Sequence, residues 1–156
     1  MTFGDSLDDK EATLSDVKDL VQGLLVDIQE VKVAPSPPES VTSTSATLYT
    51  NCFKAVVLTS GQSFVAWANI NVSHSSAGER IYAEIHDNSG KLSMSNQATY
   101  FTSRANTAGA DATLSPIAMR RNPGAGVWTV ELKWLIATGT GYSNGAHLLV
   151  AVFQTD

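Results

Sequence analysis

The chain has 156 residues, the size of one ordinary domain with a short accessory segment. Hydrophobic residues make up 43% and charged residues only 16%, against about 25% in typical soluble proteins, so a core is available while the surface is unusually neutral. The net charge of −5 is uneven: residues 1–40 hold nine acids against three lysines, whereas residues 41–156 hold seven Lys or Arg against six acids. No basic run is present to neutralise phosphates, which argues against nucleic acid as a partner. A single cysteine, Cys52, excludes an intrachain disulfide and a Cys-based zinc site. No apolar stretch approaches the roughly 18–20 residues that span a bilayer. The acidic start also lacks the basic and apolar regions of a signal peptide, so neither membrane insertion nor export is expected.

Near the N-terminus, Leu14, Val17, Val21, Leu24, Ile28 and Val31 follow one another at alternating spacings of three and four. That spacing predicts a helix with an apolar seam, and β-branched residues at two core positions suit a trimeric coiled coil better than a parallel dimer. An amphipathic helix packed on its own domain would show the same period. Residues 35–40 begin Pro35-Ser36-Pro37-Pro38, which cannot continue a helix. The expected organisation is therefore a helical stalk or anchor over 1–34, a proline-rich linker over 35–40 and a head over 41–156.

The head is expected to be mainly β, because its period changes to two. Phe64, Ala66, Ala68, Ile70 and Val72 alternate with Val65, Trp67, Asn69 and Asn71. Ile81, Ala83 and Ile85 form a second apolar face, and Trp128, Val130, Leu132, Trp134 and Ile136 a third. Turn-forming clusters fall between these runs, notably at Thr59–Gln62, Asp87–Gly90, Asn122–Gly126 and Thr138–Gly145. With weaker segments near Thr47–Leu58, Lys91–Ser95, Ala98–Thr102 and Ala112–Arg120, about eight antiparallel strands result, the pattern of a β-sandwich with a jelly-roll-like layout. The last run, Ala146–Gln154, is apolar on both faces. Leu148, Val150 and Val152 can fill the sandwich, while Leu149, Ala151 and Phe153 need a second cover, either a neighbouring head or a loop of the same chain.

Chemistry-bearing residues are sparse. His74, His86 and His147 lack the spacing of a metal site, and no nucleophile elbow or phosphate-binding loop is present, so neither catalysis nor a cofactor or metal is expected. Cys52 reads as a small core residue, and Glu84 with Glu131 as solvated charges rather than a glycosidase pair. Trp67, whose face carries Asn69 and Asn71, and Tyr142, in a Gly-rich stretch, are the candidates for surface binding.

A short seam of Leu14, Val17, Val21, Leu24, Ile28 and Val31, a proline-rich neck and a Ser/Thr-rich β head ending on a two-faced apolar strand resemble the small trimeric virion proteins of tailed bacteriophages, among them head-decoration proteins, head fibres and receptor-binding fibre tips. The resemblance is one of layout. It implies a homotrimer on the virion surface with the N-terminal segment docked on a major capsid or tail protein; the two-faced final strand is what puts Leu149 and Phe153 at head-to-head contacts. It also implies an alternative, an adhesin whose head grips a host surface glycan or protein.

Overall fold

A computed structural model of the chain describes residues 24–92, the backbone of 101–104, and residues 109–155. Eleven strands form two antiparallel sheets that pack face to face. The first sheet contains β1 (Leu25–Val33), β2 (Glu39–Val41), β4 (Gln62–His74), β8 (Ala112–Leu114), β9 (Ile117–Arg120) and β11 (Gly141–Gln154), ordered β1-β11-β4-β8, with β2 also on β11 and β9 also on β4. The second contains β3 (Thr47–Leu58), β5 (Arg80–Asp87), β6 (Gly90–Lys91), β7 (Phe101–Arg104) and β10 (Gly126–Ile136), ordered β3-β10-β5-β6, with β7 on the same edge of β5. In chain order the long strands pass from β1 in the first sheet to β3 in the second, back to β4 and again to β5; β10 then pairs with β5 in the second sheet, and β11 returns to the first.

The core is made where the alternating runs face each other. Phe64, Ile70, Leu148 and Val150 of the first sheet meet Ile85, Leu132, Trp134 and Ile136 of the second, and all are essentially fully buried. Tyr49 and Trp134 pack at a ring separation of 5.4 Å, tilted by 51°, the kind of geometry favoured by aromatic quadrupoles. Strand β4 is buried at every second residue from Phe64 to His74 because the pleat turns alternate side chains to opposite faces.

One expectation is overturned. From Leu25 to Val33 the chain is a strand, not a helix, and it pairs antiparallel with β11, with Ile28 opposite Ala151 and Val31 opposite Leu148. Spacings of three and four look helical when the positions between them are polar, and the apolar Leu25 and Val26, between Leu24 and Ile28, break that rule. In this β-branched stretch the hydrogen bonds offered by β11 outweigh a weak helical preference. As strand residues, Ile28 and Val31 lie on opposite faces: Ile28 is exposed, and Val31 packs against the core. Leu14, Val17 and Val21 lie outside the described residues. Residues 34–38 connect β1 to β2, both of which pair with β11, and the Ser36–Pro37 peptide bond within them is cis.

Two local features shape the ends of the sandwich. In β3, Asn51 takes a left-handed φ of 60°, and the pairing with β10 slips between Glu131 and Lys133. This bulge lets both Tyr49 and Cys52 point inward, which strict alternation forbids. At the other end, His74 is fully buried and bridges the end of β4 to the loop after β10. The Ser76 amide donates to Nδ1 at 2.9 Å, so Nε2 carries the proton and donates to the Thr138 carbonyl at 2.7 Å. Gly139, with φ of 76°, fits above this ring only because it lacks a side chain, since a Cβ would come within 2.9 Å of the imidazole Cε1.

Two outcomes are expected. Gly139→Ala should destabilise the protein by about 1–2 kcal/mol in urea unfolding, from the left-handed backbone alone, and by more if His74 cannot shift. A chain shortened to begin at Glu39 loses β1 and leaves one edge of β11 bare, so it should unfold at a clearly lower urea concentration than a chain beginning at Leu24, and it should tend to aggregate.

Candidate functional site

The outer face of the first sheet changes character along its length. Register places Ile28, Ala151, Val65 and Met119 in one row across four strands, and Leu149, Trp67 and Ile117 in the next. Phe153 and Leu25 extend the patch to the strand ends. Ile28 is 51% exposed, Leu25 38% and Trp67 37%, while Val65, Met119, Ile117, Leu149 and Phe153 are half-buried and Ala151 is buried, so the described residues leave the patch partly open. A groove of about 560 Å³ runs along its end, lined by Leu24, Val65, Met119, Phe153 and, at its rim, Arg121 and Asn122. Exposed apolar area that is continuous rather than scattered marks an interaction surface.

One row beyond Trp67 and Leu149 the same strands turn polar. Asn69 pairs with His147 and Asn71 with Gly145, while Tyr142 lies opposite Ser73. Between Ser143 and Gly145 the register shifts, so Asn144 is an extra residue bulged from β11. Its Oδ1 accepts a hydrogen bond of 3.1 Å from Asn71 Nδ2. Pro38, Asn71, Ser73, Asp111, Tyr142 and Asn144 enclose a cavity of about 320 Å³, and a second hollow of about 380 Å³ adjoins it over Asn69, Thr113, Gly145 and His147. Tyr142 is 40% exposed at this cavity. Ser143 itself turns inward, its hydroxyl 3.0 Å from the Tyr49 hydroxyl in the other sheet.

The charged groups form a separate, structural set. Asp87 of β5 receives two hydrogen bonds from the Arg120 guanidinium of β9, at 2.8 and 2.9 Å, and two from Ser89, tying the two sheets together. Arg120 also meets the Ser89 hydroxyl and lies 5.7 Å above the Trp128 ring. Burial pushes the Asp87 carboxyl up, but the bonds from Arg120 and Ser89 outweigh it and hold the group below its ordinary range. Glu84 is governed in the same way: burial raises it, and the bonds from Lys91 and His86, both 2.8 Å, bring it below the usual value. Glu131 pairs with Lys133 at 3.2 Å. Burial pushes the Cys52 thiol up to about 12, with Glu39 adding to the effect, which removes the thiolate needed for nucleophilic chemistry. Among the described residues no group of three or more His, Cys, Asp or Glu side chains is placed to hold a metal ion, and no helix is long and apolar enough to cross a membrane.

Of the residues singled out from the sequence, Trp67, Leu149, Phe153 and Ile28 are brought onto one face, with Leu24 lining the groove beside them. Tyr142 lies on the polar half of that face, and Val31 is turned away into the sandwich. The sequence reading missed Asn71, Asn144 and Asp111 as a group. Asn144-Gly145 was the available signal, a bulge-forming pair inside what is one continuous strand from Gly141.

No family model and no curated protein sequence matches the chain. Among solved structures it is similar to a chain of infectious bursal disease virus Gx strain, at 10% identity over 85% of this chain and 38% of that one, with a TM-score of 0.45. It is also similar to the infectious bursal disease virus VP2 subviral particle, at 10% identity over 83% of this chain and 37% of that one, with a TM-score of 0.46. A third is the C-terminal CBM6 of LamC, a laminarinase from Zobellia galactanivorans, at 14% identity over 77% of this chain and 98% of that one, with a TM-score of 0.37. The chain spans well under half the length of the two viral chains. These likenesses are architectural and assign no function.

The carboxylates set the acid limit of the fold. Asp87 and Glu84 have folded pKa values below their unfolded ones, so their contribution is complete above the ordinary carboxylate range and is lost as pH falls through the folded values. The melting temperature should therefore be flat above about pH 5 and fall below about pH 4. Asp87→Asn should cost about 1–3 kcal/mol at pH 7 and flatten that fall, as calorimetry across the acid range would record.

Proposed function

We propose that the chain is a non-enzymatic structural protein of a bacteriophage virion surface, a homotrimer whose heads associate through the apolar half of the outer β1-β11-β4-β9 face. In this reading the acidic segment ahead of Leu24 docks on a major capsid or tail protein and the head faces outward, as in a decoration protein or head fibre. The observation that carries the reading is the apolar run across four strands in which Ile28 and Trp67 are exposed and Leu149, Phe153, Val65 and Met119 are half-buried. Only the exposed part of these side chains is gained on association, at about 25 cal/mol per Å², and it must offset the entropy of association, so the whole run and not a few of its members is needed. The alternative, a receptor-binding adhesin, draws on the polar half of the same face around Tyr142.

Light scattering should return three times 16.6 kDa for the purified chain. Ile28→Asp together with Leu149→Asp places two charges in the patch and should weaken association at least about a hundredfold while leaving the β-sheet circular dichroism unchanged. A monomer at micromolar concentration would sink the trimer. Oligomers insensitive to the double substitution would move the interface elsewhere.

A further inference from the structure

We infer that the cavity bounded by Tyr142, Asn144, Asn71, Ser73 and Asp111 is a binding site for a neutral hexopyranoside. The inference deepens the adhesin alternative and is independent of the trimer, because none of these residues belongs to the apolar half of the face.

A sugar presents a ring of hydroxyls, each both donor and acceptor, and an apolar C–H face. Its recognition needs side chains that offer donors and acceptors at fixed spacing, together with an aromatic ring. The cavity holds both. The bond from Asn71 Nδ2 to Asn144 Oδ1 fixes the two amides relative to each other and leaves the Asn71 carbonyl oxygen as acceptor and the Asn144 amide as donor. Ser73 adds a hydroxyl and Asp111 a carboxylate, and the half-exposed Tyr142 ring supplies the apolar body with a polar tip. The volume of about 320 Å³ lies at the small end of the range for ligand sites and opens onto the hollow over Gly145, so a single ring with room for a second unit fits better than a large cofactor.

The backbone places these groups deliberately. The bulge at Asn144 inserts one side chain more than β11 would otherwise direct to this face. Gly145, opposite Asn71, contributes no side chain and so leaves the hollow open; a Cβ there would make only ordinary contact, 3.5 Å from the Val33 carbonyl. Charge selects the class of sugar. Among the described residues the cavity is lined by one carboxylate and by no lysine or arginine, so sialic acids, uronates and sulfated sugars are disfavoured.

The test is a titration of the full ¹⁵N-labelled chain with the methyl pyranosides of glucose, galactose and mannose, and separately with the methyl glycoside of N-acetylneuraminic acid, read by amide chemical shifts. At least one neutral probe should give saturable shifts in the millimolar range, confined to the amides around Asn71, Tyr142 and Asn144. Tyr142→Ala and Asn144→Ala should each weaken that binding about tenfold or more. Gly145→Val should fill the hollow and weaken it without disturbing the fold, and Val127→Ser on the opposite sheet should leave it unchanged. No saturable shift with any neutral probe overturns the site, as does preference for the acidic probe or binding indifferent to Tyr142→Ala and Asn144→Ala. Loss of sugar binding with the oligomer intact refutes this site alone, whereas a monomer that still binds refutes only the trimer.

Discussion

Strand β11 is hydrogen-bonded along both edges, to β1 and β2 on one side and to β4 on the other, and it is apolar on both faces from Leu148 to Phe153. An internal strand of this kind cannot slip by one residue, because a slip exchanges Leu148, Val150 and Val152 for Leu149, Ala151 and Phe153 and misaligns every pair with β4. Once β11 is in place, the registers of β1 and β4 follow, and so does the row structure of the outer face. The inner residues serve the sandwich and the outer ones are left over, so the same strand that closes the core creates the exposed apolar patch.

The two sheets are held by apolar packing, but their mutual alignment is set by a few polar ties near the ends. Arg120 to Asp87 joins β9 to β5, and Tyr49 to Ser143 joins β3 to β11. His74 links the end of β4 to the loop between β10 and β11. Each has a buried partner, Asp87, Tyr49 or His74, for which losing its hydrogen bond is most costly. The packing supplies the bulk of the driving force without direction, and these bonds supply direction at little extra area.

Much of the sandwich was legible in the sequence because the period of two is strict where both faces have distinct neighbours. Thr47–Leu58 carries the same bounds in the structure as in the sequence reading, Ile81, Ala83 and Ile85 are buried on one face of β5, and Trp134, Leu132 and Ile136 are buried together as expected. Ala112–Arg120 proved to be two strands, interrupted at Ser115-Pro116, since proline cannot donate to a ladder. The first strand was illegible for a physical reason: β1 is an edge with one face only partly covered, so its burial pattern does not alternate cleanly, and pairing with a partner 120 residues away leaves no local trace. The polar cavity was hidden because a bulge, unlike a strand, has no period. The Tyr142 ring stood out for its place in a Gly-rich stretch, but Asn71 and Asn144 become neighbours only through the register of β4 with β11.

Because the apolar and polar halves of the outer face are built on the same two strands, β4 and β11, they cannot move independently. Copies joined through one half must carry the other at fixed separation and orientation. A hollow of single-sugar size is weak by itself, yet rigidly repeated hollows meeting a repetitive surface bind with an effective concentration set by their spacing, and avidity of this kind can raise overall affinity by about 10²–10⁴ without a single added contact. In the proposed trimer, the continuity of two strands across the border at Trp67 and Leu149 would thus convert a property of one chain into a property of valency.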